Sequence, residues 1–157
     1  MASLLPYIQT CKVSSVYDDN MLLYGKTNMF DNNNETCWNS SQGKLQYIII
    51  KFNKYVYIYN IHVQFQGGFV GKICNIYICN SHKSKQYKLI YTVMPQDNNT
   101  VQIFNINNNH NNNDNNNNND NNNDNICDII KLQFDNSSDL FGRICIYKLD
   151  IIGKCYQ

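Results

Sequence analysis

The chain has 157 residues, of which 43% are hydrophobic and 16% charged, and its formal net charge is +1. That length suits one domain with a substantial core. The charge balance excludes the strong field needed to grip a nucleic-acid backbone or an anionic membrane, and no apolar stretch approaches the ~20 residues of a membrane-spanning helix.

The opening segment, residues 1–11, reads "MASLLPYIQTC". It has neither the basic start nor the apolar run of a signal peptide, so it reads as a lead-in and the chain is expected to stay in a reducing compartment. The seven cysteines are then thiols, including Cys11 and Cys155, which bracket the chain. Most of the others sit in apolar strand patterns as small hydrophobes. Next comes "FDNNNETCWNS", Phe30–Ser40. Asp31, Asn33 and Glu35 occupy alternate positions of an oxygen-ligand loop, but Thr36 and Gln42 stand where an EF-hand needs its glycine and its bidentate glutamate. Cys37 lacks a nearby base, since His62, His82 and His110 are all distant in sequence, and no Gly-rich elbow appears. Cys37 reads as a packing residue beside Trp38.

Seven runs are then strand-like: "LQYIIIKF" (Leu45–Phe52), "YVYIYNIHVQF" (Tyr55–Phe65), "ICNIYIC" (Ile73–Cys79), "YKLIYTVM" (Tyr87–Met94), "TVQIFNI" (Thr100–Ile106), "DIIKLQF" (Asp128–Phe134) and "ICIYKLDII" (Ile144–Ile152). They are β-branched and aromatic, bounded by turn formers, and several alternate with period two. Helical periodicity is absent. The pattern predicts an all-β, antiparallel sandwich or barrel over residues 12–155. Lys83, Lys85 and Lys88 read as a solvated loop. Residues 105–125 read "NINNNHNNNDNNNNNDNNNDN", an insertion with nothing to bury and therefore expected to be disordered.

Four segments taken together carry a resemblance: Val13–Gly43, Ile61–Gly71 with "QFQGGF", Asp97–Phe104, and Lys131–Gly153 with "DLFGR". The chain resembles the small family of proteins associated with testicular orphan nuclear receptors, a branch of the galactose-binding-like fold shared with discoidin and coagulation-factor C-type domains. The resemblance implies a jelly-roll sandwich and a non-enzymatic protein-binding role. It further implies repression of receptor-driven transcription in the nucleus, with the cytoplasm as a second location. The implied partner is a nuclear receptor or another transcription factor, with no direct nucleic-acid or membrane contact, and the chain is expected to be a monomer.

Related domains often wrap a structural calcium with the loop matching Phe30–Trp38. Asp31 and Thr36 match ligand positions there, but Lys148 replaces the closing glutamate, so no cofactor is expected and a salt bridge from Lys148 to Asp31 would fill the cation's place. Trp38 is expected as a core anchor whose indole N–H finds a partner. The expected partner surface joins Gln66, Gly67, Gly68 and Phe69 to Asp139, Phe141 and Arg143. Arg143 also has a structural reading, as a buried fork holding Asp139 or an acid of the Asp31–Glu35 loop. The alternatives are a lectin-like site using Tyr24, Asp31, Phe69 and Arg143, which would want an exposed Trp38, or an adaptor of a ubiquitin-ligase or ciliary-transport assembly.

Overall fold

The computed structural model describes residues 1–106 and 125–156. Its strands are β1 (Ala2–Ser3), β2 (Ile8–Val13), β3 (Trp38–Asn39), β4 (Gln46–Phe65), β5 (Gly71–Cys79), β6 (Lys88–Val93), β7 (Val101–Asn105), β8 (Ile126–Ser137) and β9 (Cys145–Tyr156). One short α-helix, α1 (Met21–Tyr24), lies between β2 and β3 among the described residues, flanked by single 3-10 turns at Tyr17–Asp19 and Lys26–Met29.

β4 organises the molecule. Its inward positions are Ile48, Ile50 and Phe52, then Val56 and Ile58, then Ile61, Val63 and Phe65, all buried. The steps in this pattern coincide with register shifts near Lys51–Val56 and Ile58–Asn60. The N-terminal half pairs antiparallel with β2 on one side and β8 on the other. The C-terminal half pairs with β9 and β7. One strand thus passes from one layer to the other, as sandwich-corner strands do at bulges and bends. β5 and β6 extend the first layer beyond β8, while β1 and β3 both pair with β9 in the second. The inner faces meet in one apolar core. Phe65 of β4 and Phe134 of β8 pack edge-to-face there, with ring centroids 5.8 Å apart.

The sandwich is antiparallel throughout, as the alternating patterns predict. Three details differ. The runs expected at Leu45–Phe52 and Tyr55–Phe65 merge into one continuous strand, Gln46–Phe65, because Asn53 and Lys54 carry the chain across layers without a turn. Residues 1–11 are not a mere lead-in. Ala2–Ser3 pairs with β9, Ile8–Val13 pairs with β4, and Leu4 between them is buried. The asparagine-rich insertion also begins later than residue 105, since Asn105 closes β7 and Ile106 is buried in the core. Asn125 lies within hydrogen-bond reach of Lys88. The remainder of the expected disordered insertion, residues 107–124, lies outside the described residues.

Candidate partner-binding surface

Two tight turns meet at one end of the sandwich. The first follows β4. The Phe69 amide donates to the Gln66 carbonyl at 3.0 Å, and Gly68 takes φ +88° at the third position of that turn, where a side chain would be strained. Its exposed amides are satisfied from the β6–β7 loop. Gly67 N–H donates to Asn99 Oδ1 at 2.7 Å and Gly68 N–H to Asp97 Oδ1 at 2.8 Å. The second turn precedes β9. Gly142 N–H donates to the Asp139 carbonyl at 3.1 Å, leaving Leu140 and Phe141 at the tip. They are 91% and 57% exposed. Gly142 is required here, because its φ is +86° and a Cβ would lie 2.4 Å from the Gly43 carbonyl oxygen.

The serines of "NSSDLFGR" hold this turn in place. Ser137 Oγ donates to the Arg143 carbonyl at 2.6 Å and accepts from Asp139 N–H at 2.9 Å. Ser138 Oγ accepts from Val70 N–H at 2.9 Å. Cys145, the first residue of β9, locks the two turns together. Its amide donates to the Phe69 carbonyl and its carbonyl accepts from Gln66 N–H, both at 3.0 Å. Behind the second turn lies an open cleft of about 450 Å³, bordered by Gly43, Leu45, Lys72, Phe134 and Leu140.

Arg143 joins the pieces. Its Nε donates to Asp139 Oδ2 at 3.2 Å, and its backbone amide donates to the same oxygen at 3.0 Å. The guanidinium lies over the Phe69 ring at 5.0 Å and over the Tyr17 ring at 5.7 Å, within range of attraction by the ring quadrupole. Tyr17 in turn packs edge-on against Tyr24 at 5.4 Å, at the end of α1, whose Met21, Leu22 and Leu23 are exposed. The acid held is therefore Asp139 and not one of the Asp31–Glu35 loop. The expected buried fork is corrected as well: one side-chain nitrogen makes the bond, and the Arg143 side chain is 24% exposed. Partial burial works to raise the Asp139 carboxyl, but the hydrogen bonds and charge of Arg143 outweigh it and hold it below the usual carboxylate range. The bond to Asp139 correspondingly raises Arg143.

The Asp31–Thr36 loop closes on itself. Asp31 Oδ1 accepts from Asn33 N–H at 3.0 Å, Asp31 Oδ2 accepts from Thr36 Oγ1 at 2.5 Å, and Asn33 Oδ1 accepts from Glu35 N–H at 2.9 Å. Asp31 and Thr36 thus bond to each other, and the expected Lys148–Asp31 salt bridge does not form: Lys148 stands on β9 opposite Gln64, and the one ion pair among the described residues is Arg143–Asp139. Among the described residues no cluster of three histidine, cysteine or acidic side chains gathers for a metal. Below the loop Trp38 is fully buried, and its indole N–H donates to the Ser15 carbonyl at 2.9 Å. Cys37 is half-buried beside Cys145.

The structure brings Gln66–Phe69, Asp139, Phe141 and Arg143 to one end, and it leaves Asp31 and Thr36 in a separate loop. Sequence reasoning missed Tyr17, Asp97, Asn99 and Leu140. The motif "DNNT" carries the signal for two of them, since Asp and Asn cap free amides readily. Tyr17 carried no such signal, because its role depends on meeting Arg143 across the fold.

A sandwich of this topology, with loops gathered at one end, has the galactose-binding-like fold of the discoidin type. Solved structures that share it include the following three. A chitosan-binding module from Paenibacillus sp. IK-5 superposes with TM-score 0.70 at 12% identity, covering 98% of this chain and all of the other. An F5/8 type C domain from Bacteroides fragilis gives 0.69 at 10%, covering 94% and 92%. A family 32 carbohydrate-binding module from C. perfringens, solved with galactose, gives 0.64 at 15%, covering 90% and 91%. No protein-family model matches the chain. The curated relatives named nuclear receptor 2C2-associated protein include that of Danio rerio, 38% identical over 91% of this chain and 89% of its own length, and that of Homo sapiens, 32% identical over 91% and 90%. The chain belongs to the nuclear receptor 2C2-associated protein family.

Proposed function

We propose that the chain is a non-enzymatic, monomeric protein-interaction module that associates with a nuclear receptor or another transcription factor and represses receptor-driven transcription in the nucleus. The name shared by its relatives supports the partner class. The observation that carries the site is the apolar tip Leu140–Phe141, held exposed on a turn fixed by Gly142, Ser137 and Arg143. A large apolar group presented on a rigid frame, with polar groups around it, is how interfaces concentrate binding energy in few residues. Phe69 acts from beneath: one face of its ring carries the guanidinium, so it sets the frame more than it projects. No cofactor is needed for this role.

The sugar-binding alternative wants a bare aromatic platform with planar polar neighbours. Trp38 is fully buried, and Arg143 covers Phe69. The test is affinity purification of the tagged chain from nuclear and cytoplasmic extracts with mass spectrometry, run beside a glycan array and a receptor-driven reporter. Recovery of a transcription factor with reduced reporter output is expected. Glycan binding without a protein partner, or recovery of ubiquitin-ligase or ciliary subunits instead, would overturn it.

A further inference from the structure

We propose that Cys37 and Cys145 form a peroxide-responsive dithiol, in which Cys37 is the sulfur first oxidised and Cys145 resolves it to a disulfide. The pairing follows from register. Trp38 and Asn39 pair with Ile146 and Cys145, so Cys37 sits diagonally across from Cys145 on the side opposite Trp38 and Ile146. Their thiols lie within hydrogen-bonding reach of each other. Cys37 precedes β3 and lies outside its ladder, where its carbonyl accepts from Asn28 Nδ2 at 3.1 Å, so closing to an S–S length of about 2.05 Å requires that one bond to yield.

The two thiols differ as an attacking and a resolving pair should. Cys37 is partly exposed, whereas Cys145 is buried yet lies outside the contiguous apolar core. The hydrogen bond from Cys145 lowers the Cys37 thiol below its ordinary value, against the opposing effect of burial, while the same bond and burial raise Cys145. Cys11, Cys74 and Cys127 act as internal controls. Burial pushes Cys11 up to about 11 and also raises Cys74 and Cys127, which disfavours the reactive thiolate.

With hydrogen peroxide as oxidant, the Cys37 thiolate attacks one peroxide oxygen. The O–O bond breaks, an S–O bond forms, and the departing hydroxide takes up a proton to become water. The Cys145 sulfur then attacks the sulfenic sulfur. An S–S bond forms, the S–O bond breaks, and hydroxide leaves with the Cys145 proton as a second water. Two thiols lose two electrons and one peroxide gains them.

The test treats the folded full chain with hydrogen peroxide and dimedone, then maps peptides by mass spectrometry. A Cys37–Cys145 linked peptide, reversed by dithiothreitol, is expected while Cys74 and Cys127 stay reduced. In Cys145→Ser the dimedone adduct on Cys37 should rise severalfold over wild type. If that variant does not fold, alkylation rates in the wild-type chain decide: Cys37 is expected to react fastest. The proposal is overturned if Cys11 or Cys155 reacts before Cys37, or if Cys37 proceeds to sulfinic acid while Cys145 remains a free thiol.

Discussion

The Asp31 and Asp139 loops each begin with an aspartate that accepts two hydrogen bonds, and they use it in opposite ways. Asp31 spends both bonds on its own loop, through Asn33 and Thr36. Asp139 spends both on Arg143, whose guanidinium then reaches Phe69 and Tyr17 in other parts of the chain. The first loop is locally satisfied and polar, with no large apolar group at its tip. The second ties three segments together and lifts Leu140 and Phe141 into solvent. A loop becomes a plausible recognition element through what it fastens and presents, since recognition needs a fixed apolar anchor. A carboxylate at its start is not sufficient.

The largest expected difference concerns backbone geometry. Gly142→Ala should cost about 3 kcal/mol or more, because a strained left-handed residue is added to a backbone overlap with Gly43. The corresponding left-handed residue of the first loop is Asn32, at φ +59°. Asn32→Ala should cost only about 1 kcal/mol. Denaturant midpoints of the two variants check this, and equal losses would erase the distinction.

Next in size is Arg143→Ala, which should destabilise by about 1 kcal/mol, the sum of a part-exposed ion pair and ring contacts, and leave the domain folded. Thermal melts with circular dichroism measure it. An unfolded product would restore a fully structural role for this arginine.

The pH response should separate wild type from Asp139→Asn. The Asp139 carboxyl is held low in the folded state, so its contribution is complete above the unfolded value of about 3.9 and is lost as pH falls through the folded value below it. Unfolding curves between about pH 2 and pH 6 should therefore show a steeper acid limb in wild type than in Asp139→Asn. Coincident limbs would mean that the Arg143 contact contributes nothing.

The smallest effect belongs to the first loop. Millimolar calcium should leave the melting temperature within about 1 °C, whereas a site filled at a hundred times its dissociation constant would add about 2.7 kcal/mol. A large rise reversed by chelator would show that the Asp31–Thr36 bond opens to bind metal.

The layers of the sandwich were legible because inward residues such as Ile61, Val63 and Phe65 alternate with outward ones, and period two is a direct consequence of strand geometry. Continuity across Asn53 and Lys54 was not legible. Two polar residues read as a turn unless the pairing on either side is known. β1 and β3 are two residues each, too short for any periodicity, and form only where β9 offers them a pairing edge. At the site, "QFQGGF" and "DLFGR" were visible as glycine turns beside aromatic residues. Their contact was not, because it depends on Cys145 bonding to both ends of the Gln66–Phe69 turn and on Tyr17 meeting Arg143. Arg143 read as a buried fork because a lone arginine entering a core strand suggests burial, whereas its side chain turns back along the loop to Asp139.

The most direct test compares wild type with the double variant Leu140→Ser, Phe141→Ser. Both side chains are exposed, so the variant should fold with a melting temperature close to wild type. Each protein is used as bait in nuclear extract and its partners are quantified by mass spectrometry. The account predicts that the double variant loses its transcription-factor partners by at least about tenfold, the equivalent of about 1.4 kcal/mol. Recovery of the same partners in the same amounts by a folded double variant would contradict it.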